Sequence, residues 1–268
     1  MKISIITPTK NSEKTILKNL ESVIEQTYTA YEHIIIDNLS KDHTLEIIEN
    51  VYQQNRAGEK LKIISEKDDG ISDAFNKGIK NSTGDVIGIL NSDDHFYDSL
   101  VFEKVAKEFN TGDVLFIHGN IFFEDKLYGS NLRRPLLCPI HYAMPYNHPT
   151  MFFRKSVYEM YGTFDISYKY AMDYEFICRL EKLIPDFRKK GIYIDGNPLS
   201  VMNAGGESWQ NEMKGLKEVK RSLIQHGFWN LDARIRYSNR ILRTKLKHVF
   251  NILELNAIIK IWRNNKWR

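Results

Sequence analysis

Apolar residues along the first half of the chain alternate between two periodicities. Residues 2–6 (KISII), 32–36, 61–64 and 86–90 are short, nearly unbroken apolar runs, the pattern of strands buried on both faces. Between them the apolar positions fall three or four apart: Ile16, Leu17, Leu20, Val23 and Ile24, then Leu45, Ile48 and Val51, then residues 71–80 and 99–109. That spacing predicts helices, with Ser12 capping the first and Asp42 the second. Strands alternating with helices of about ten residues predict an α/β fold, a mostly parallel central sheet with helices on both faces.

Beyond residue 113 the pattern is less regular. Short strands are expected at 114–118, 120–123, 150–153, 192–194 and 199–202, and helices at 156–161 and 174–183, with Asp173 placed to cap the second. From residue 210 onward the chain reads as mainly helical. These shifts divide it into 1–110, 111–208 and a helical extension, 209–268.

In an open α/β sheet, ligands bind beyond the carboxyl ends of the strands. Thr7 and Thr9 follow the first strand, Asp37 and Asn38 the second, Glu66 and Asp68 the third, and Asn91, Ser92, Asp93 and Asp94 the fourth. One rim therefore gathers at least five acids. Capping explains one acid at a time but not the set. Adjacent carboxylates at a buried strand end repel each other and lose hydration, so Asp93 and Asp94 call for a compensating group. Mg²⁺ and Mn²⁺ supply one, since both prefer oxygen donors and share their coordination between one or two carboxylates and a substrate phosphate. The phosphate-binding glycine patterns G-x-G-x-x-G and G-x-x-x-x-G-K-[ST] are missing after the first strand, which disfavours a dinucleotide dehydrogenase or a P-loop NTPase.

Charge adds a second feature. From Trp229 to Arg268 ten Lys or Arg face two acids, a local +8, while the rest of the chain carries −4. The two cysteines, Cys138 and Cys178, have no metal or redox spacing and read as reduced packing residues. The N-terminus lacks a signal-peptide pattern, and no segment approaches the ~18 apolar residues of a membrane span, so a cytoplasmic protein is expected.

Five segments, in this order, together resemble glycosyltransferase family 2, inverting sugar transferases of GT-A fold. They are SIITPTKN at 4–11, the strand end at Asp37, SEKDDGISDAFNKGI at 65–79, GDVIGILNSDD at 84–94, and HPTMFFRKSVYEMYGTFD at 148–165 followed by DYEF at 173–176. The resemblance extends over about residues 1–205. It implies a Rossmann-like nucleotide-sugar-binding half at 1–110, an acceptor and catalytic half at 111–208, and a UDP-sugar donor with Mn²⁺ or Mg²⁺ as cofactor. On this chain it places Thr7 and Asp37 at the nucleoside, Asp68 near the base, and Asp73 and Asn76 beside the donor. Asp94 matches the metal ligand and Asp93 the ribose contact, with the reverse assignment open; Asn91 stands where some relatives carry an acid. Asp173 matches the catalytic base, with Glu175 as fallback. His148 is assigned to the acceptor side, and Gly205 and Gly206 to a loop near the diphosphate, each weighed against a structural role.

The basic extension carries aromatic and aliphatic anchors, a combination suited to an anionic bilayer, where a lipid-linked acceptor would be met. The expected setting is the inner face of the plasma membrane, and the expected process is bacterial surface polysaccharide synthesis. An ordinary helical appendage is the alternative to membrane docking. For function, the alternatives are a nucleotide-binding homologue without catalysis and a nucleic-acid module built on the basic tail. The acidic rim argues against the nucleic-acid module, because it repels phosphate unless a metal is present.

Overall fold

The computed structural model describes residues 1–125, 129–205 and 211–252. Four parallel strands form one side of the main sheet: β1 (Ile3–Thr9), β2 (Tyr31–Asp37), β3 (Leu61–Ser65) and β4 (Val86–Ile89). β5 (His95–Phe96) leaves it for a second sheet. The main sheet continues through β9 (Phe152–Arg154), antiparallel to both neighbours, then β6 (Phe116–Gly119) and β10 (Gly191–Ile194), giving the order β10-β6-β9-β4-β1-β2-β3. The second sheet adds β7 (Ile121–Glu124), β8 (Asn131–Arg133) and β11 (Ser200–Asn203) in the order β5-β11-β7-β8.

Helices α1 (Ile16–Ile24), α2 (Thr44–Gln54), α3 (Ile71–Asn81) and α4 (Val101–Phe109) cover the parallel half. Side chains alternate across each strand, and this explains the unbroken apolar runs. Ile35 of β2 packs with Ile16, Leu20, Ile48 and Tyr52 beneath α1 and α2, while its neighbours Ile34 and Ile36 pack with Phe75 and Ile79 of α3. Gly78 lets α3 lie close on β1, since a Cβ there would sit 2.3 Å from Ile6 Cγ2. Helices α5 (Lys155–Tyr161) and α6 (Met172–Leu183) extend the core through an aromatic group of Phe153, Tyr158, Phe164 and Phe176. The chain continues into α7 (Glu212–Gln225) and α8 (Leu231–Ile252).

Two expected caps are corrected. The first helix begins at Ile16 rather than Ser12; Ser12 offers its carbonyl to the Thr15 and Ile16 amides, and its hydroxyl meets that of Ser92 at 2.9 Å. Asp173 is not a cap either but lies in the first turn of α6, whose cap position is Ala171.

Candidate active site

The in-register pairing of β1, β2 and β3 places Thr9 beside Asp37 and Asp37 beside Ser65, so the strand ends line up on one rim. Asp37 is fully buried there. Its carboxylate accepts from the Ser40 amide and hydroxyl and from the Ser65 hydroxyl, the last at 2.6 Å. Asp68 accepts from the Asn38 side chain at 2.8 Å and the Gly70 amide at 2.9 Å, and partial burial raises its pKa. Asp73 accepts from the Asp69 amide and lies 3.3 Å from Lys77 Nζ. Asn76, one turn on, exchanges two hydrogen bonds with the backbone of Phe164 and so ties α3 to the segment before α6.

Thr7 takes a different place from the one expected. Its side chain is wholly buried beneath the rim, in a chain of hydrogen bonds between helices and strands. Tyr52 Oη lies 2.5 Å from His33 Nδ1, His33 Nε2 lies 2.9 Å from Thr7 Oγ1, and Thr7 Oγ1 lies 3.4 Å from Asn19 Oδ1. The Asn19 amide nitrogen then donates to the carbonyls of Asn91 at 2.9 Å and Asp94 at 3.1 Å. Because Asn19 must donate to those carbonyls, its oxygen faces Thr7. One set of proton positions satisfies every member: Tyr52 donates to a neutral His33, His33 to Thr7, and Thr7 to Asn19. Burial holds His33 neutral, lowering its pKa from 6.5 to about 3.

The loop at the end of this chain carries Asp93 and Asp94. Asp94 is 2 % exposed and accepts the Asn203 amide at 3.1 Å, while the Asn203 side chain donates to the Asp93 carbonyl. Asp93 is more open. Burial raises the pKa of both carboxylates, and for Asp94 the charge of Asp93 raises it further. Asn91 Oδ1 is buried with no hydrogen-bond partner among the described residues. Two carboxylates short of counter-charge beside an orphaned amide oxygen form a donor set that fits a hard divalent cation. Among the described residues no three His, Cys, Asp or Glu side chains cluster to hold a metal unaided.

On the other half, Asp173 accepts the adjacent Tyr174 amide at 2.8 Å. The segment that enters α6 is held from a distance: Glu218 of α7 accepts the amides of Lys169, Tyr170 and Ala171 at 2.8–2.9 Å. His148, in a single 3-10 turn before β9, stacks on Phe75 and lies near enough to Asp173 for the two charges to interact; burial lowers its pKa and Asp173 opposes the shift. Glu175 does not join them. It is 1 % exposed and locked between Arg179 at 3.1 Å and His226 at 3.0 Å, so its carboxylate serves the packing of α6 on α7. Gly205 adopts φ +107°, a conformation that favours glycine, while Gly206 lies outside the described residues.

Sequence reasoning missed Asn19, His33, Asn203 and Glu218. Asn19 left a trace, a polar residue on the apolar face of a predicted helix; the others left none.

The family model for glycosyl transferase family 2 matches residues 4–176. The chain belongs to glycosyltransferase family 2. A PGL/p-HBAD biosynthesis glycosyltransferase of Mycobacterium bovis is 29 % identical over 189 residues, covering 66 % of this chain and 68 % of the relative. An uncharacterized glycosyltransferase of Bacillus subtilis, YwdF, is 29 % identical over 253 residues and 87 % of each chain. The Escherichia coli chondroitin synthase is also 29 % identical, over 68 % of this chain but 27 % of its own length.

Solved structures confirm the GT-A-type fold of this family 2 glycosyltransferase. S. aureus TarS 1–349 in complex with UDP-GlcNAc superposes with a TM-score of 0.64 at 19 % identity, over 84 % of this chain and 67 % of that one. The mannosyltransferase PcManGT of Pyrobaculum calidifontis, in complex with GDP-Man and Mn²⁺, gives 0.63 at 14 % identity over 97 % and 80 %. At these identities the likeness is one of fold.

Proposed function

We propose that this glycosyltransferase moves a hexose or N-acetylhexosamine from a UDP-linked donor to a glycan or lipid-linked glycan, with inversion at the anomeric carbon. The proposed setting is bacterial surface polysaccharide synthesis at the inner face of the plasma membrane. The observation that carries this reading is the Asp93–Asp94 pair, short of counter-charge and fixed by Asn19 and Asn203 at the rim that Asp37 and Asp68 share.

Asp68 would accept hydrogen bonds from the nucleoside, Asp37 would do so by exchanging its Ser40 hydroxyl for the ligand, and Asp73 would border the same site. Thr7, being buried, supports it from beneath through Asn19. Asp93 is the more open carboxylate and takes the cation-facing role, while Asp94, anchored by Asn203, sets its position; this reverses the first assignment drawn from the resemblance. A Mn²⁺ or Mg²⁺ held there would stabilise the charge developing on the departing diphosphate.

Inversion in one displacement requires a base on the acceptor side. Asp173, in the first turn of α6, accepts the proton of the acceptor hydroxyl as that oxygen attacks, and neighbouring His148 lines the acceptor side. The test is Asp173→Asn, assayed for UDP release from a panel of UDP-sugars with and without acceptors, beside calorimetry of UDP binding in Mn²⁺. Intact binding with transfer reduced at least about a hundredfold is expected. Turnover within a few fold of wild type would remove Asp173 from the role.

A further inference from the structure

Helix α8 turns an apolar stripe outward. Leu231, Ile235, Leu242, Leu246 and Val249 are 38–72 % exposed. At 100° per residue they fall within about 60° of arc, so they form one band along the helix rather than scattered contacts. Arg234 and Lys245 border the band on one side and Arg243 on the other; all three are exposed, and none has an ion pair among the described residues. The opposite face holds the helix to the body: Ala233 is fully buried, and Thr244 and Lys247 bind Glu212 of α7 at 3.1 and 2.9 Å. The outward band is therefore not the packing side of the helix.

The same helix is joined to the segment leading to His148. His141 Nε2 lies 3.2 Å from Asp232, and the Arg236 guanidinium lies 3.3 Å from the centre of the Tyr142 ring. That segment exposes Leu136 and Leu137 as well.

We infer that the outward face of α8 docks this protein on an anionic lipid bilayer, with the apolar band in the acyl boundary and Arg234, Arg243 and Lys245 at the headgroups. No helix among the described residues is long and apolar enough to cross a membrane, so the contact is one of a helix lying along the surface. Charge selects the bilayer over a second copy of the chain. Two such bands packed together would bring basic borders against basic borders, whereas anionic headgroups complement them. Docking here brings the acceptor-side segment to the lipid surface through its ties to α8.

The full-length protein is sedimented with vesicles of phosphatidylcholine alone or mixed with phosphatidylglycerol. Binding to the mixed vesicles only, weakened by salt, is expected. Leu242→Glu with Leu246→Glu should abolish it. Arg234→Gln, Arg243→Gln and Lys245→Gln together should lower partitioning about a hundredfold, from roughly fivefold per charge. UDP binding by calorimetry should stay unchanged in both variants, which separates failure of this surface from failure of the donor site. Three results would overturn the inference: no binding by the wild type, equal binding by the Leu242/Leu246 variant, or light scattering that finds a wild-type dimer converted to monomer by that variant.

Discussion

The side-chain amide of Asn19, buried in α1, donates to the backbone carbonyls of both Asn91 and Asp94 and so fixes the turn that carries Asp93. A helix facing the core thus sets the position of carboxylates on the rim. Asn19→Leu keeps the branched outline but removes the donor to the Asn91 and Asp94 carbonyls and the acceptor of the Thr7 hydroxyl. Loss of about 2–4 kcal/mol in chemical denaturation is expected, with UDP affinity in Mn²⁺ reduced more than UDP affinity in EDTA. Equal loss in both conditions would mean that Asn19 supports stability alone.

The two carboxylates should separate by function. Asp93→Ala is expected to abolish the dependence of UDP binding on Mn²⁺ in calorimetry while leaving the melting temperature near that of wild type. Asp94→Asn keeps a group able to meet the Asn203 amide and should weaken the Mn²⁺ dependence without removing it. The opposite ranking would return the cation-facing role to Asp94. Chelation of the metal from wild type should mimic Asp93→Ala.

Glu218 holds the segment that enters α6, 47 residues away from it in sequence at Ala171. Glu218→Ala deprives the amides of Lys169, Tyr170 and Ala171 of their partner, and about 2–3 kcal/mol of stability should go with it. Glu218→Gln retains an acceptor and should recover much of that. Should transfer fall in step with stability across both variants, Glu218 acts on Asp173 through the fold; a fall in turnover beyond that would mark it as positioning the base.

Glu175, although next but one to Asp173, belongs to the interior. Removing its carboxylate takes the acid partner from His226 and from Arg179, which keeps only the Tyr161 and Thr163 carbonyls among the described residues, so Glu175→Ala should cost about 3–5 kcal/mol. Turnover of the protein that remains folded should stay close to normal, and a selective loss of turnover would reinstate Glu175 as a base.

His33 sets an acid limit. Its folded pKa, near 3, lies below the ordinary 6.5, so the unfolded chain binds a proton that the folded chain refuses. Stability from this group is complete above about pH 6.5 and is lost as pH falls towards 3, by about 1.4 kcal/mol per unit across the window. Urea midpoints from pH 8 to 4 should drop accordingly, and His33→Gln should flatten the slope while lowering the midpoint at neutral pH. An unchanged slope would place the acid sensitivity in another group; His118, whose pKa burial lowers to about 4, is the next to test.

Strands β1, β2 and β4 were legible because both faces of each are buried, and this writes isoleucine runs such as residues 32–36 into the chain. The rim was legible for a related reason: parallel strands end on one side, so polar residues after each run converge. Asn203 and Glu218 were hidden because their partners lie 109 and 47–49 residues away, and no local periodicity records such pairings. The inward turn of Thr7 was hidden by its type. A threonine at a strand end suits a ligand and a buried histidine equally well, and only the position of His33 on the neighbouring strand decides between them.

The order of the main sheet carries a further consequence. β9 lies between β4 and β6, so the edge of β4 stays unpaired until residues 152–154 are available to cover it. A chain emerging from the ribosome would complete β1 to β4 with an open, isoleucine-rich edge, a template for association with other nascent chains. The first 110 residues are thus not a safe folding unit on their own. They are obliged to fold together with the segments that bring β9 and β6 to the sheet.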